Sequence, residues 1–127
     1  MICLLSALRV HEIGTQTPLE VWMAIPQNAP APRVGQPQLR VVRMSGASLA
    51  EGIERRRIDG VKVPVFSVEK TVADCFKFRN KIGLEVALEA LRDGWSRGLL
   101  SMDKLARHAA TDRVANVMRP YLESVAT

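Results

Sequence analysis

The chain has 127 residues, of which 47% are hydrophobic and 24% charged, and this composition excludes a disordered or fibrous protein and is typical of one globular domain. Its formal net charge of +5 favours an acidic partner such as nucleic acid. The 18 basic residues are mixed with 13 acidic ones, so a solvated surface accounts for most of them. Only Arg55, Arg56 and Arg57 form a dense basic run.

The first third of the chain predicts one helix, two strands and a long loop between the strands. Apolar residues at helical spacing predict a helix from Ile2 to Val10, although no N-cap residue precedes it. Val21 to Ile25 is a short apolar run that predicts a strand buried on both faces. Residues 26–37 contain four prolines and predict a loop. The residues from Leu39 to Arg43 predict a second strand with a basic outer face.

A β-hairpin is the clearest local prediction, and it spans Ile53 to Phe66. Asp59 and Gly60 favour the positive φ angles of a type I′ turn, and Pro64 marks the second strand as an edge or a strand end. Arg55, Arg56 and Arg57 precede the turn, so alternate side chains point to opposite faces and at least one reaches solvent. These arginines either contact phosphate or an acidic partner, or they keep an edge strand soluble.

The C-terminal half predicts four helices. Ser67 is the expected N-cap of the first, which closes at Gly83, and the second starts at Leu84. Ser101 and Thr111 are the expected N-caps of the third and fourth helices, and Pro120 is expected to kink the last one or to confine its regular part to one side. We therefore predict one α+β domain over residues 1–127, with helices packed on a small, mainly antiparallel sheet and a helical C-terminal half.

The cysteines and the hydropathy pattern predict a cytoplasmic protein without a membrane segment. Cys3 and Cys75 lie in apolar stretches without a CxxC partner, so we expect buried, reduced thiols. The apolar stretch from Met1 to Leu8 is much shorter than the roughly 20 residues that cross a bilayer. It also lacks the positive flank of a signal peptide.

The residue types that carry catalysis do not form a recognisable constellation in the sequence. His11 and His108 have no neighbours at metal-ligand spacing, and the serines lack a nucleophile elbow, so we predict no catalytic residues, no metal and no cofactor. The alternative is an Mg²⁺-dependent nuclease that uses Glu54, Asp59 and Lys62 on the hairpin. Its spacing is unfavourable, because the turn itself requires Asp59.

Three polar residues, Lys70, Thr71 and Asp74, lie among apolar ones on the first helix after the hairpin. They predict a polar cluster that packs against the sheet. Such a cluster either satisfies its own hydrogen bonds or binds a ligand or partner.

Several segments together carry a resemblance to a known family. They are Ile2 to Leu8 (ICLLSAL), Glu20 to Pro26 (EVWMAIP), Ser67 to Gly83 (SVEKTVADCFKFRNKIG), Leu84 to Leu91 (LEVALEAL) and Val114 to Leu122 (VANVMRPYL). The sequence resembles the C-terminal domain of AbiEi antitoxins over nearly its whole length. The Lys-Thr-Val-Ala-Asp block is the most specific part of the match.

The resemblance implies a non-enzymatic antitoxin and transcriptional-regulator domain of a bacterial abortive-infection system, which defends against phage. The family counters a nucleotidyltransferase-like toxin, generally without a stable complex. Its N-terminal winged helix-turn-helix, which binds the promoter, has no counterpart in this sequence, so we do not expect promoter recognition by that module. Lys70, Thr71 and Asp74 match the family block without an assigned role. A DNA-binding accessory domain is a further alternative, and it would use the basic surface.

Overall fold

The computed structural model describes residues 1–33 and 38–126, which form an α+β fold whose C-terminal half is helical, as predicted. The strands are β1 (Val21–Pro26), β2 (Leu39–Met44), β3 (Ile53–Ile58) and β4 (Val61–Phe66). The helices are α1 (Leu4–Val10), α2 (Ala47–Ala50), α3 (Val68–Lys77), α4 (Arg79–Ile82), α5 (Leu84–Ser96), α6 (Met102–Thr111) and α7 (Ala115–Ala126). Residues 34–37 of the predicted proline-rich loop lie outside the described residues. In the described part of the chain, no helix has the length and apolar character needed to span a membrane.

The first three residues join two strand pairs into one surface. The backbone N–H of Ile2 donates to the carbonyl of Pro64 at 3.0 Å, and that of Cys3 donates to the carbonyl of Trp22 at 3.0 Å. The backbone order is therefore β2, β1, residues 1–3, β4, β3. This pairing corrects the predicted start of α1 from Ile2 to Leu4, because Ile2 belongs to the sheet.

The two strand pairs differ in direction. The hairpin is antiparallel, with Asp59 at φ 50° and Gly60 at φ 81°, which confirms the predicted type I′ turn. Strands β1 and β2 are parallel, whereas the sequence analysis expected mainly antiparallel pairing. The connection between them has about a dozen residues, which is long enough for the chain to return and pair in the parallel direction.

The helices pack on one face of the sheet, which we call the inner face. Trp22, Ala24, Val42, Met44 and Phe66 point into this core. Helix α3 lies in the middle of the helical layer and contacts α1, α5 and α6. Its position explains why seven of the ten α3 residues are buried.

The local signals for helix starts are confirmed at two positions and wrong at a third. The hydroxyls of Ser67 and Ser101 accept from the backbone N–H groups of Lys70 and Lys104, at 3.2 and 3.4 Å. Thr111 is the last residue of α6 and not the N-cap of α7. The break falls after Asp112, where the N–H of Val114 bonds back to Ala109 in a helix-terminating turn. Helix α7 then runs through Pro120.

Candidate functional site

A buried ion pair lies on the face of α3 that meets the sheet. Lys70 and Asp74 are four residues apart, so the helix places both side chains on the same face. The ammonium Nζ of Lys70 lies 2.5 Å from Oδ1 of Asp74, and both side chains are fully buried. The ammonium also lies 4.0 Å from the ring centroid of Phe66, a cation–π contact.

Other elements complete the network around this pair. Oδ1 of Asp112, just after α6, lies 3.9 Å from Nζ of Lys70 and accepts from the hydroxyl of Ser48 at 2.8 Å. Lys77 in turn donates to Oγ of Ser48 at 3.1 Å. We call Ser48, Lys70, Asp74 and Asp112 the lysine–aspartate cluster. It ties together α2, α3 and the end of α6.

The cluster contains two carboxyl groups and one fully buried ammonium, that of Lys70. Among the described residues, neither Oδ2 of Asp74 nor Oδ2 of Asp112 has a hydrogen-bond partner. Burial raises the pKa of Asp74 well above its usual range, and the hydrogen bond with Asp112 adds to this, while Lys70 opposes it. The raised pKa favours the neutral form of the Asp74 carboxyl, because burial penalises the charged form.

The Thr71 side chain also makes a contact within the fold. Its hydroxyl donates to the carbonyl of Phe66 at 3.3 Å, and its side chain is fully buried. All three polar residues of the predicted block therefore contact their own chain and not the solvent. Of the two alternatives left open by the sequence, the geometry favours internal contacts, with Oδ2 of Asp74 left without a hydrogen-bond partner among the described residues.

Two surface pockets flank the cluster. One of about 500 Å³ is lined by Ser48, Lys77, Asp112 and Arg113, and the other, of about 450 Å³, by Glu51, Glu69, Lys104 and His108 among others. Burial lowers the pKa of His108, and the nearby Lys70 ammonium acts in the same direction, so the imidazole is held neutral. Neither pocket exposes the ammonium of Lys70 or the carboxylate of Asp74.

The hairpin arginines, Arg55 to Arg57, lie at the other end of β3 from the cluster. All three are exposed, which confirms that this run reaches solvent. Arg56 forms an ion pair with Glu54 at 3.1 Å, and Arg57 donates to the carbonyl of Gly60 at 3.1 Å. Within the described residues β3 pairs with β4 alone, so the arginines lie on an edge strand. The structure thus does not bring them together with Lys70, Thr71 and Asp74.

The residues considered for a nuclease do not converge. Glu54 and Asp59 are five positions apart along an extended strand, about 16 Å at the usual rise, whereas ligands of one cation lie within about 2.6 Å of it. Glu54 is instead engaged by Arg56. Within residues 1–33 and 38–126, no three Asp, Glu, His or Cys side chains group closely enough to hold a metal ion.

Sequence reasoning missed several residues of the cluster. Ser48 and Asp112 are 64 positions apart, and nothing in their local sequence marks them as partners. Gly52 carried a usable signal, since a glycine before a strand often permits a close approach. Its φ is +80°, and a Cβ there would lie 2.8 Å from Cβ of Lys70 and 2.9 Å from Cε1 of His108.

Comparison with known proteins adds no assignment. No protein-family model and no curated protein sequence matches this chain. The resemblance to AbiEi antitoxins rests on the residues quoted above and stays a prediction.

Proposed function

We propose that this chain is a non-enzymatic antitoxin and regulatory domain of a bacterial abortive-infection system, which counters a nucleotidyltransferase-like toxin through its basic hairpin. The exposed run Arg55 to Arg57 is the observation that carries the proposal. The sequence resemblance supplies the class of system, and the cytoplasmic location that we propose rests on the two free, buried cysteines. The buried block around Lys70 then has a supporting role, which is to hold the fold that presents the hairpin.

The distribution of charge supports a role for the sheet and not for the helical layer. The four strands and the hairpin turn contain six basic and two acidic side chains, a net charge of +4 out of the +5 of the whole chain. The helical half is nearly balanced by comparison. A concentrated positive edge attracts phosphate or an acidic protein surface, and long-range attraction speeds the encounter.

The test is a growth-rescue experiment. The neighbouring nucleotidyltransferase-like gene is induced with and without this chain, and colony counts are compared. We expect rescue by the chain and loss of rescue when all three hairpin arginines are changed to serine. A control variant removes the same charge from exposed positions of the helical half, namely Arg92, Arg107 and Arg119.

The two variants distinguish a specific role of the hairpin surface from a general effect of positive charge. Rescue by the control but not by the hairpin variant supports the proposal, provided that both variants melt near the temperature of the unchanged protein. Equal rescue by both variants would remove the hairpin from the mechanism. Growth arrest in the presence of soluble, folded, unchanged protein would refute the antitoxin assignment for this domain.

A DNA-binding accessory domain is the second candidate, and the same exposed arginines favour it. Binding to a labelled duplex should weaken steeply with salt, because each phosphate contact releases a counterion. If the three hairpin arginines contact phosphate, their removal should reduce the slope of log K against log salt by about 3. No binding at low salt would eliminate this candidate.

A further inference from the structure

The half of the hairpin next to the turn projects from the body of the domain. From Arg55 to Pro64 no residue is buried, and Val61 is 62% exposed. The next two residues, Val65 and Phe66, are fully buried. We call residues 55–64 the ribbon. It is a two-stranded antiparallel element, and both of its faces reach solvent.

Three basic side chains share one face of the ribbon. Ile53 pairs with Phe66, whose side chain points into the core, so these two residues mark the inner face. Side chains alternate along a strand, which places Arg55 and Arg57 on the same face as Ile53. Lys62 joins them because it lies directly opposite Arg57. We call Arg55, Arg57 and Lys62 the basic triad.

Arg56 lies on the opposite face of the ribbon and has different surroundings. It stands opposite Val63, and its guanidinium is paired with Glu54 at 3.1 Å. By contrast, the basic triad forms no ion pair with a carboxylate in the described part of the chain. Within Ile53–Ile58 and Val61–Phe66, no acidic side chain lies on the face of the triad. Its three positive charges are therefore not compensated on the ribbon.

The spacing of the triad concentrates its charge. Arg57 and Lys62 are directly opposite, so their Cβ atoms lie about 4.5–5.5 Å apart, and like charges in this position destabilise a strand pair. Arg55 lies about 7 Å further along the strand. The guanidinium of Arg57 is held beside the turn by its hydrogen bond to the carbonyl of Gly60. Bound anionic groups would offset the repulsion, so this arrangement fits a binding surface better than a structural one.

The composition of the ribbon selects among the anionic partners. A protein interface has an apolar centre and few lysines, whereas the triad has only Pro64 between it and the core on its own face. Single-stranded nucleic acid binds by stacking on aromatic side chains, and residues 55–64 contain none. The major groove of double-stranded RNA is too narrow for protein side chains to read. The major groove of B-form DNA is about 12 Å wide and admits a two-stranded ribbon.

We propose that the ribbon enters the major groove of duplex DNA, where the basic triad contacts phosphates and Arg56 does not. This inference rests on the exposed hairpin of the proposed function and assigns one class of partner to it. Phosphates are the same at every base pair, so binding of this kind does not depend on base sequence. The dissociation constant belongs to the non-specific range, about 1–100 µM.

The test is the salt dependence of binding by the full chain and its variants. A labelled DNA duplex of about 20 base pairs is titrated at about 50 and 200 mM salt, with binding followed by fluorescence anisotropy. Three phosphate contacts predict that the affinity of the unchanged protein falls about 40-fold between these two salt concentrations. Arg55→Ser, Arg57→Ser and Lys62→Ser should each reduce that fall to about 12-fold, because one contact is lost.

Arg56→Ser is the matched control, because it removes the same charge one position away on the other face. It should leave the salt dependence unchanged. Thermal melts establish that each variant is folded. Arg55 and Lys62 lie on different strands, so each of their variants tests the surface if the other one unfolds.

Three further probes of the same sequence test the groove. They are a DNA duplex whose cytosines carry glucosylated hydroxymethyl groups, an RNA duplex and a single DNA strand. The glucose groups project from the C5 edge of the base and fill the major groove. We expect weaker binding to all three probes than to the plain duplex.

Four results would overturn the proposal. They are no binding to the plain duplex at about 100 µM protein in about 50 mM salt, equal effects of Arg55→Ser and Arg56→Ser, equal binding to the plain and glucosylated duplexes, and equal or tighter binding to RNA or single strands. Growth rescue is scored separately. Rescue by a variant that has lost DNA binding would support the DNA contact and contradict the antitoxin role of the hairpin. Rescue by unchanged protein that binds no DNA would support the antitoxin role and refute this inference.

Discussion

Replacing Lys70 with methionine removes a fully buried ammonium and keeps most of the apolar stem. The side chain is fully buried, and its Nζ lies 2.5 Å from one carboxylate and 3.9 Å from another. Without the cation, Asp74 and Asp112 remain adjacent and buried with no positive partner. Removing one partner of a buried ion pair costs about 3–5 kcal/mol of unfolding free energy.

That cost is a large part of the stability expected for a domain of this size, which is about 5–15 kcal/mol. At about 4 °C for each kcal/mol, the melting temperature should fall by about 12–20 °C. Guanidinium unfolding followed by far-UV circular dichroism at pH 7 measures the loss. Lys81→Met is the matched control, because Lys81 is exposed, and it should cost less than about 0.5 kcal/mol.

The pH dependence of unfolding provides a second test of the Lys70→Met variant. Since Lys70 opposes protonation of Asp74, Lys70→Met should raise the pKa of Asp74 further. A carboxyl whose pKa is raised by folding contributes stability below its unfolded pKa and loses it as the pH rises through the folded value. The variant should therefore regain stability between pH 7 and pH 5. Two results would refute this account of the cluster. One is a loss of unfolding free energy below about 1 kcal/mol at pH 7, and the other is no increase in the variant's unfolding free energy between pH 7 and pH 5.

Two further predictions test the same cluster. Asp112→Asn removes a carboxyl that raises the pKa of Asp74 by its hydrogen bond and its charge, so it should lower the pKa of Asp74 and flatten the loss of stability with rising pH. An unchanged slope of unfolding free energy against pH, in urea titrations between pH 5 and pH 8, would contradict this coupling. Gly52→Ala should cost about 3 kcal/mol or more, because φ is +80° and the new Cβ would lie 2.8 Å from Cβ of Lys70. Gly60→Ala, at φ +81° with nothing within 4 Å, should cost only about 1 kcal/mol by the same thermal melts, and equal losses would show that contact with Lys70 is unimportant.

Much of the local structure could be predicted because its causes are local. The Asp59–Gly60 turn follows from backbone conformations that these two residue types adopt readily. Ser67 and Ser101 begin helices because a hydroxyl can accept from an N–H three residues ahead within the same turn. Thr111 gave the same signal and was wrong, because α6 continues through it and ends in a turn with Arg113 at φ 60° and the N–H of Val114 bonded to Ala109.

The sequence by itself determined the α+β class, the hairpin, the exposed arginines and the presence of a polar block in an apolar helix. The tertiary structure alone decided that Lys70 meets Asp112 as well as Asp74, and that β1 and β2 run parallel. The physical reason is the range of the interactions. Caps, turns and side-chain periodicity act over a few residues, whereas charge pairing and strand order depend on segments that are distant in sequence and meet only when the chain has folded.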